Sequence, residues 1–333
     1  MRFKLLRQLS TETNVLVPFL LDRRLIPKVW GGRDLQDRLG IPLSADDNEM
    51  IGEAWELFDR PDGSSMVRGT ETSLADLVRQ NPEELVGRGV PLGHGGSFPL
   101  MLKFLDARQS LSMQVHPSDS QAQGDSGKDE CCLILHAGAN ASMVHGVRPG
   151  VGRAELLDTW NTPEVESMLY AFTPQVGDVI HIPPGTPHSI GPGVVAFEVQ
   201  ENSDLTYRFY DWGRGRETHA EDAGDVVNMV VNERPPVHDS TSLPDGGELL
   251  LATDHFVVRR YALERRVELS THERFLTVTV LDGKGRLNWS SGSDEGSLEL
   301  GKNDTALVPA GISMVAVEPD GQMDFVVCDP GTP

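Results

Sequence analysis

Gly177-Asp178-Val179-Ile180-His181-Ile182-Pro183-Pro184-Gly185-Thr186-Pro187-His188 is the stretch from which the fold is read. The apolar run at 178–182 reads as a strand, and the Pro-Pro-Gly-Thr-Pro turn after it is rigid enough to fix where the His188 imidazole points. Working outward, similar short runs lie at 50–58, 100–106, 111–115, 131–136 and 194–200, separated by Gly, Pro, Asn and Asp. That is the pattern of an antiparallel sandwich or barrel. Two stretches read as helical instead. At 73–87, Leu74, Leu77, Val78 and Leu85 fall at helical spacing, and Asn81-Pro82 opens a second short helix. At 155–170, Leu156, Leu157, Trp160, Val165, Met168 and Leu169 do the same around a break at Thr162-Pro163. The expected fold is mainly β, with helical insertions in its first part.

The opening stretch has an echo. Residues 303–314 read Asn-Asp-Thr-Ala-Leu-Val-Pro-Ala-Gly-Ile-Ser-Met, and alignment on the Pro-x-Gly turn sets Met314 against His188. Two related barrels are implied, of which the first kept a metal-binding side chain. Residues 236–247 lie in a run of turn formers poor in apolar residues and read as a linker. The expected division is therefore a catalytic metal-binding domain at 1–235 and a degenerate β domain at 248–333. In the latter, strands are expected at 255–263, 275–281, 298–300, 306–309 and 313–317, with a hairpin turn at Asp282-Gly283-Lys284-Gly285.

At 333 residues, 38% of them apolar, the chain can bury real cores, and no apolar stretch approaches the roughly 20 residues of a membrane span. Arg2, Lys4 and Arg7 precede an apolar run, but Pro18 interrupts that run and Asp22-Arg23-Arg24 stands where a cleavage site would be, so no secretory signal is expected. A net charge of −21 argues against nucleic-acid binding, yet leaves room for a local anion pocket. Cys131, Cys132 and Cys328 form no disulfide framework and read as reduced, buried thiols of a cytoplasmic protein.

Three separate signals bear on chemistry. Gln114 and His116 stand two apart on a strand and project to one side, and Pro117 ends that strand. Glu130, after Lys128-Asp129, opens the strand at 131–136; His188 follows the rigid turn. Each alone is more simply a core histidine, a solvated strand end or a loop cap. Together an amide oxygen, two imidazoles and a carboxylate make a mixed N/O site that leaves positions open for substrate, which suits catalytic zinc and does not exclude manganese, iron or cobalt. His181 alternates with Ile180 and Ile182 and is expected to face away.

Gly177, Pro183, Gly185 and His188 have the spacing of the second cupin motif, so the chain resembles a cupin, and two jelly-roll β-barrels are implied. In the first cupin motif a His-x-His pair is usual; here Gln114 takes the first place. That replacement is similar to the type I mannose-6-phosphate isomerases, as are 98–107, Lys28-Val29-Trp30-Gly31-Gly32, Gly52-Glu53-Ala54-Trp55-Glu56 and 198–211. These motifs cover roughly 27–214; the rest adds only length and β character. The resemblance implies metal ligands at Gln114, His116, Glu130 and His188, active-site lysines at Lys103 and Lys128, an active-site serine at Ser112 and an acid–arginine pair at Glu198 and Arg208. Cys131-Cys132 departs from the aromatic residue common after the ligand Glu, which is expected to alter packing and leave the chemistry intact.

The implied reaction interconverts mannose 6-phosphate and fructose 6-phosphate by proton transfer through a cis-enediol. Arg208 would steady developing charge, and Glu198, Lys128 or a metal-bound water would carry the proton. Lys103, alone in the apolar run at 100–105, is expected to face the pocket and meet the phosphate with Ser112 and Lys128. An isomerase for another aldose phosphate or for free mannose, and a non-catalytic sugar-binding cupin, are the alternatives. The expected partner is a small sugar phosphate, with neither nucleic acid nor membrane; oligomeric state is not legible.

Overall fold

The computed structural model describes residues 16–43, 49–292 and 294–331. Of the stretch weighed as a leader, the part up to residue 15, with Arg2, Lys4 and Arg7, lies outside them. Among the described residues the chain is mainly β and builds two pairs of antiparallel sheets.

The first pair carries the chemistry. A six-stranded sheet runs in the order Val179–Ile182, Glu130–Ala137, Val194–Glu201, Leu100–Ala107, Ile51–Leu57, Arg24–Gly32. A five-stranded sheet runs Leu169–Phe172, Met143–Val147, His188–Ile190, Met113–Val115, Tyr207–Tyr210. In the six-stranded sheet Leu100–Ala107 and Val194–Glu201 are buried at every position, as strands covered on both faces must be. Leu105, Cys132, Ile134, Ile180 and Ala196 pack toward Met143, Phe172 and Ile190 of the five-stranded sheet. Leu102, Phe104, Leu133, Phe197 and Val199 point the other way, into a core shared with Phe256, Leu307, Val326 and the short helices Leu74–Gln80 and Pro82–Leu85.

Strand alternation then decides where charge can go. Lys103 shares a face with Leu105 and Ala107, Glu198 with Ala196 and Val194, and Glu130 with Cys132 and Ile134. All three strands turn from apolar to charged toward the same end of the sheet pair. That end is the site.

The helical expectation at 73–87 holds, opened by a capping box between Ser73 and Asp76, with Pro82 starting the second helix. The one at 155–170 holds only in part. Helix Arg153–Thr159 gives way to a 3-10 turn, Pro163–Ser167, and then to strand Leu169–Phe172, which pairs with Met143–Val147. Leu156, Trp160, Val165 and Leu169 all bury in one cluster on the outer face of the five-stranded sheet, so a shared burial pattern disguised the change of element.

The second pair is an eight-stranded sheet facing a four-stranded one, with Val278, Val280, Leu287, Val315, Val317 and Phe325 between them. Phe19–Asp22 pairs with Thr305–Val308 and Met66–Val67 follows it, so strands from before residue 235 complete this sheet; Thr241–Ser242, within the expected linker, is its other edge. Asp282-Gly283-Lys284-Gly285 is a turn, as expected, but it links strands of different sheets and closes no hairpin. Gly283 takes φ 81°, and a Cβ there would meet the Gln322 carbonyl at 2.3 Å.

The sequence echo has a structural counterpart. Strands Val179–Ile182 and Thr305–Val308 align, His188 and Met314 each open the next strand, and Gly177 and Asn303 are both left-handed, at φ 95° and 65°. The side chains, however, slip by one. Val315 and Val317 face the second core and Met314 is 47% exposed, so the position that matches His188 turns its side chain outward. Cys131, Cys132 and Cys328 are buried free thiols.

Gly31 and Gly52 explain the paired glycine motifs near the start. A Cβ on Gly31 would come within 2.5 Å of the Gly52 backbone nitrogen, and one on Gly52 within 2.7 Å of Lys28 and Trp30. The two strands touch there, which places Lys28 and Trp30 at the site. Gly31→Ala should lower unfolding free energy by about 1–3 kcal/mol in urea titration; an unchanged midpoint would show that the strands do not need this contact.

Candidate metal centre

His116 Nε2, His188 Nε2, Glu130 Oε1 and the Gln114 amide converge between the two sheets. His188 and Gln114 are register partners on neighbouring strands, and Arg208 flanks Gln114 on the other side. Glu130 Oε1 lies 3.1 Å from His188 Nε2 and 3.4 Å from His116 Nε2. Gln114 Nε2 lies 3.2 Å from His188 Nε2 and 3.5 Å from His116 Nε2. Donor atoms around a tetrahedral zinc stand about 3.3–3.4 Å apart, since each is about 2.0–2.1 Å from the ion. The spacing fits.

The donor chemistry fits as well. His116 Nδ1 donates to the Leu205 carbonyl at 2.7 Å and His188 Nδ1 to the Thr186 carbonyl at 2.9 Å, which leaves both Nε2 atoms as lone pairs aimed inward. Burial and the Lys128 ammonium bring His116 down to about 3 despite the pull of Glu130. Burial alone would raise Glu130, but Lys128 and His116 hold it well below the ordinary carboxylate value. Two imidazoles and a carboxylate thus face one another in a buried space, an arrangement suited to a positive charge at its centre. Lys128 Nζ leans into it, 2.7 Å from Glu130 Oε2 and 3.2 Å from His116 Nε2. Its approach to Oε2 is off the hydrogen-bonding directions, as is that of Lys103 to Glu198 Oε2 at 3.0 Å. Charge, more than directed hydrogen bonding, holds these lysines.

A cavity of about 240 Å³ opens onto this group and is lined by every other residue expected at the site: Lys103, Ser112, Lys128, Glu198 and Arg208. Lys103 and Glu198 are cross-strand partners. Burial pushes Glu198 up to about 8, against the pull of Lys103 and with the Glu130 charge adding to the rise, so it can hold and release a proton near neutrality. Ser112 donates to Gln114 Oε1 at 3.1 Å. Arg208 donates from Nη1 to the Glu217 carbonyl at 2.8 Å, while its Nε is buried without a partner. His181 bonds Asp129 Oδ1 at 2.8 Å and stays outside the ligand group.

Among the further residues that line the cavity, five are polar and were not singled out as functional: Lys28, Glu53, Asp204, Thr206 and Arg216. Lys28 and Glu53 sit in the quoted motifs, but their 3.0 Å ion pair joins separate strands and leaves no mark in either segment alone. Arg216 lies just past the quoted 198–211 stretch; the signal was the alternation Gly213-Arg214-Gly215-Arg216 after Asp211. A second His–carboxylate group, Asp119, Glu201 and His255, is more open. The 3.2 Å contact with Glu201 raises His255 to about 9, so a metal would have to displace a proton to bind there.

The chain is similar to known proteins along most of its length. Residues 19–140 match the family model for the catalytic domain of type I phosphomannose isomerase. The mannose-6-phosphate isomerase ManA of Bacillus subtilis (strain 168) is 30% identical over 324 residues, 93% of this chain and 97% of that protein. The crystal structure of the mannose 6-phosphate isomerase from Bacillus subtilis superposes with a TM-score of 0.82 at 28% identity, over 94% of this chain and 99% of that one. A mannose 6-phosphate isomerase solved with zinc and yttrium bound shares the fold at 17% identity, with a TM-score of 0.74 over 95% of this chain and 100% of that one.

Glu53 provides a test of the electrostatics. Burial opposes its ionisation, but Lys103, Lys28 and the Trp55 indole N–H at 2.6 Å outweigh it and bring Glu53 down to about 2. Its contribution is complete above pH 4.5 and drains away as pH falls toward 2. The parent should exceed Glu53→Gln by about 3 kcal/mol in urea unfolding at pH 6 and by less than half of that at pH 3. A pH-independent difference would mean that the lysines do not set its ionisation.

Proposed function

The chain belongs to the type I phosphomannose isomerase family, which interconverts mannose 6-phosphate and fructose 6-phosphate, and from that premise we propose how its site performs the exchange. The observation that carries the reading is the convergence of Gln114, His116, Glu130 and His188 at the spacing of one small cation. These four residues would hold a divalent ion, which we take to be zinc because the donors are two nitrogens and two oxygens and a structural neighbour carries zinc. The ion would supply a Lewis acid that polarises the substrate oxygens on C1 and C2.

The chain's own groups move the protons. Glu198 takes the proton from C2 of open-chain mannose 6-phosphate while Lys128 Nζ gives one to O1, which yields the cis-enediol. Lys128 Nζ then takes the proton from O2 and Glu198 delivers its own to C1, which yields fructose 6-phosphate and restores both groups. Its value near 8 lets Glu198 act in both directions, and Lys103 at 3.0 Å keeps the carboxylate in place. Arg208, beside Gln114 in the sheet, steadies negative charge on the substrate oxygens.

Phosphate recognition follows from where positive charge is in excess. On the cavity floor Lys28, Lys103 and Lys128 each lie within 3.0 Å of a carboxyl group already, on Glu53, Glu198 and Glu130 respectively. Lys103 and Ser112, expected at the phosphate, lie there, against Glu198 and Gln114. Beside the cavity Arg214 and Arg216 share the single carboxylate of Asp211; burial first, and then the charges of Arg216 and Arg214, lower Arg208. We assign the phosphate to Arg216, with Lys103 and Ser112 near the sugar. Every residue in this scheme precedes 235, which supports a catalytic 1–235 and a non-catalytic 248–333.

A coupled assay should show turnover of mannose 6-phosphate, its loss on chelation and its return on adding zinc; full activity in the metal-free protein would defeat the metal reading. Arg216→Ala should raise KM for mannose 6-phosphate about ten- to hundredfold with little change in kcat, and leave any turnover of free mannose unaltered. An unchanged KM would remove Arg216 from the phosphate site.

A further inference from the structure

We propose that one end of the second sheet pair is a non-catalytic binding site for a small phosphomonoester, built where the first sheet pair has its cavity. Strand register sets the two places in correspondence. With Val308 aligned on Ile182, their cross-strand partners Leu276 and Glu130 correspond. Ala306 aligned on Ile180 likewise sets Val278 against Cys132, and so Val327 against Glu198. One strand further on, Arg259 takes the place of Lys103. Glu130 and Glu198 are thus exchanged for leucine and valine, and His188 for an outward methionine, while the cation at the Lys103 position is kept. A place that lost its acids and kept its base selects anions.

A cavity of about 320 Å³ opens there, within the size range of small-molecule sites. Arg259, His272 and Arg274 line it together with one carboxylate, Asp329. Arg259 Nη2 pairs with Asp329 Oδ2, whereas Arg274 Nη1 donates to the Gly331 carbonyl at 2.8 Å, so one carboxylate serves two guanidinium groups. In a chain of net charge −21 this is a local surplus of positive charge. Arg259 Nε is buried without a hydrogen-bond partner, a donor that calls for an acceptor. Ser270 Oγ accepts from the His272 N–H at 3.3 Å, and among the described residues its own proton has no acceptor. Two guanidinium groups and a free hydroxyl suit the three acceptor oxygens of a phosphomonoester. The loop that brings them is held from outside. Phe275 N donates to the Val86 carbonyl at 3.1 Å and Arg274 forms a β-bridge with Gly87, while His272 and Glu273 are left-handed at φ 51° and 61°. Side chains resist that backbone conformation, so contacts with the first half of the chain fix the loop.

Equilibrium dialysis of the full-length protein against radiolabelled glucitol 6-phosphate, which has no carbonyl to isomerise, counts the sites. The parent should bind two equivalents per chain. Arg274→Gln and Ser270→Asp should each weaken one of them about ten- to hundredfold and leave kcat for mannose 6-phosphate unchanged, whereas Arg216→Ala should weaken the other. Ser270→Asp sets a carboxylate at the edge of the cavity without touching a guanidinium, and its parental unfolding temperature separates lost binding from lost fold. Full binding of both equivalents by Arg274→Gln and Ser270→Asp would overturn the inference, as would a single parental equivalent that only Arg216→Ala removes. A single equivalent that Arg274→Gln and Ser270→Asp remove and Arg216→Ala spares would uphold it and defeat the phosphate assignment in the first cavity instead. Equally tight binding of gluconate at the second site would overturn the choice of a phosphomonoester.

Discussion

Two imidazole nitrogens, each within 3.4 Å of one buried carboxylate oxygen between the two sheets, are the constraint on which the rest of the structure depends. Such a group is unfavourable unless positive charge enters it. The protein meets that need in layers. Lys128 and the Gln114 amide lean directly into the group, Lys103 stands behind it against Glu198, and Lys28 balances Glu53 one strand further out. Lys28 and Lys103 each meet a carboxyl group on a neighbouring strand and Lys128 meets Glu130 two residues on, whereas Arg214 and Arg216 share Asp211. That difference gives the site a polarity, with the metal at one end and an anion-binding end at the other.

The scaffold makes the arrangement possible because its central strands are buried on both faces. Leu100–Ala107 and Val194–Glu201 contribute one face to each of two cores, and the face toward the five-stranded sheet changes from apolar to charged along its length. Apolar packing at one end of the strands therefore fixes the position of charged groups at the other. The second sheet pair extends the same construction, and Phe19–Asp22 ties the two halves together by completing a sheet whose other strands mostly come from beyond residue 240.

Much of this was legible in the sequence where one segment carries the information. The strands around the Pro-Pro-Gly turn, the aim of His188, the pairing of Gln114 with His116 and the isolated Lys103 follow from alternation and from a rigid turn. What escaped was set by neighbours distant in the chain. Leu169 buries as well in a strand as in a helix, and only the free edge of Met143–Val147 decides between them. The Asp282–Gly285 turn reads the same whether its strands pair or part. Met314 aligns with His188 by spacing, yet a one-residue slip in facing, invisible to that alignment, turns it outward. Lys28, Glu53 and Arg216 belong to the cavity through ion pairs between strands or loops, which no single motif records.

The central claim is that one divalent cation sits among Gln114, His116, Glu130 and His188. Anomalous diffraction from a zinc-soaked crystal, collected on either side of the zinc absorption edge, addresses it without recourse to activity. The account predicts a single strong peak within about 2.0–2.2 Å of the two Nε2 atoms, a Glu130 oxygen and a Gln114 oxygen. A map with no peak there, or with its strongest peak at another group such as Asp119, Glu201 and His255, would contradict it.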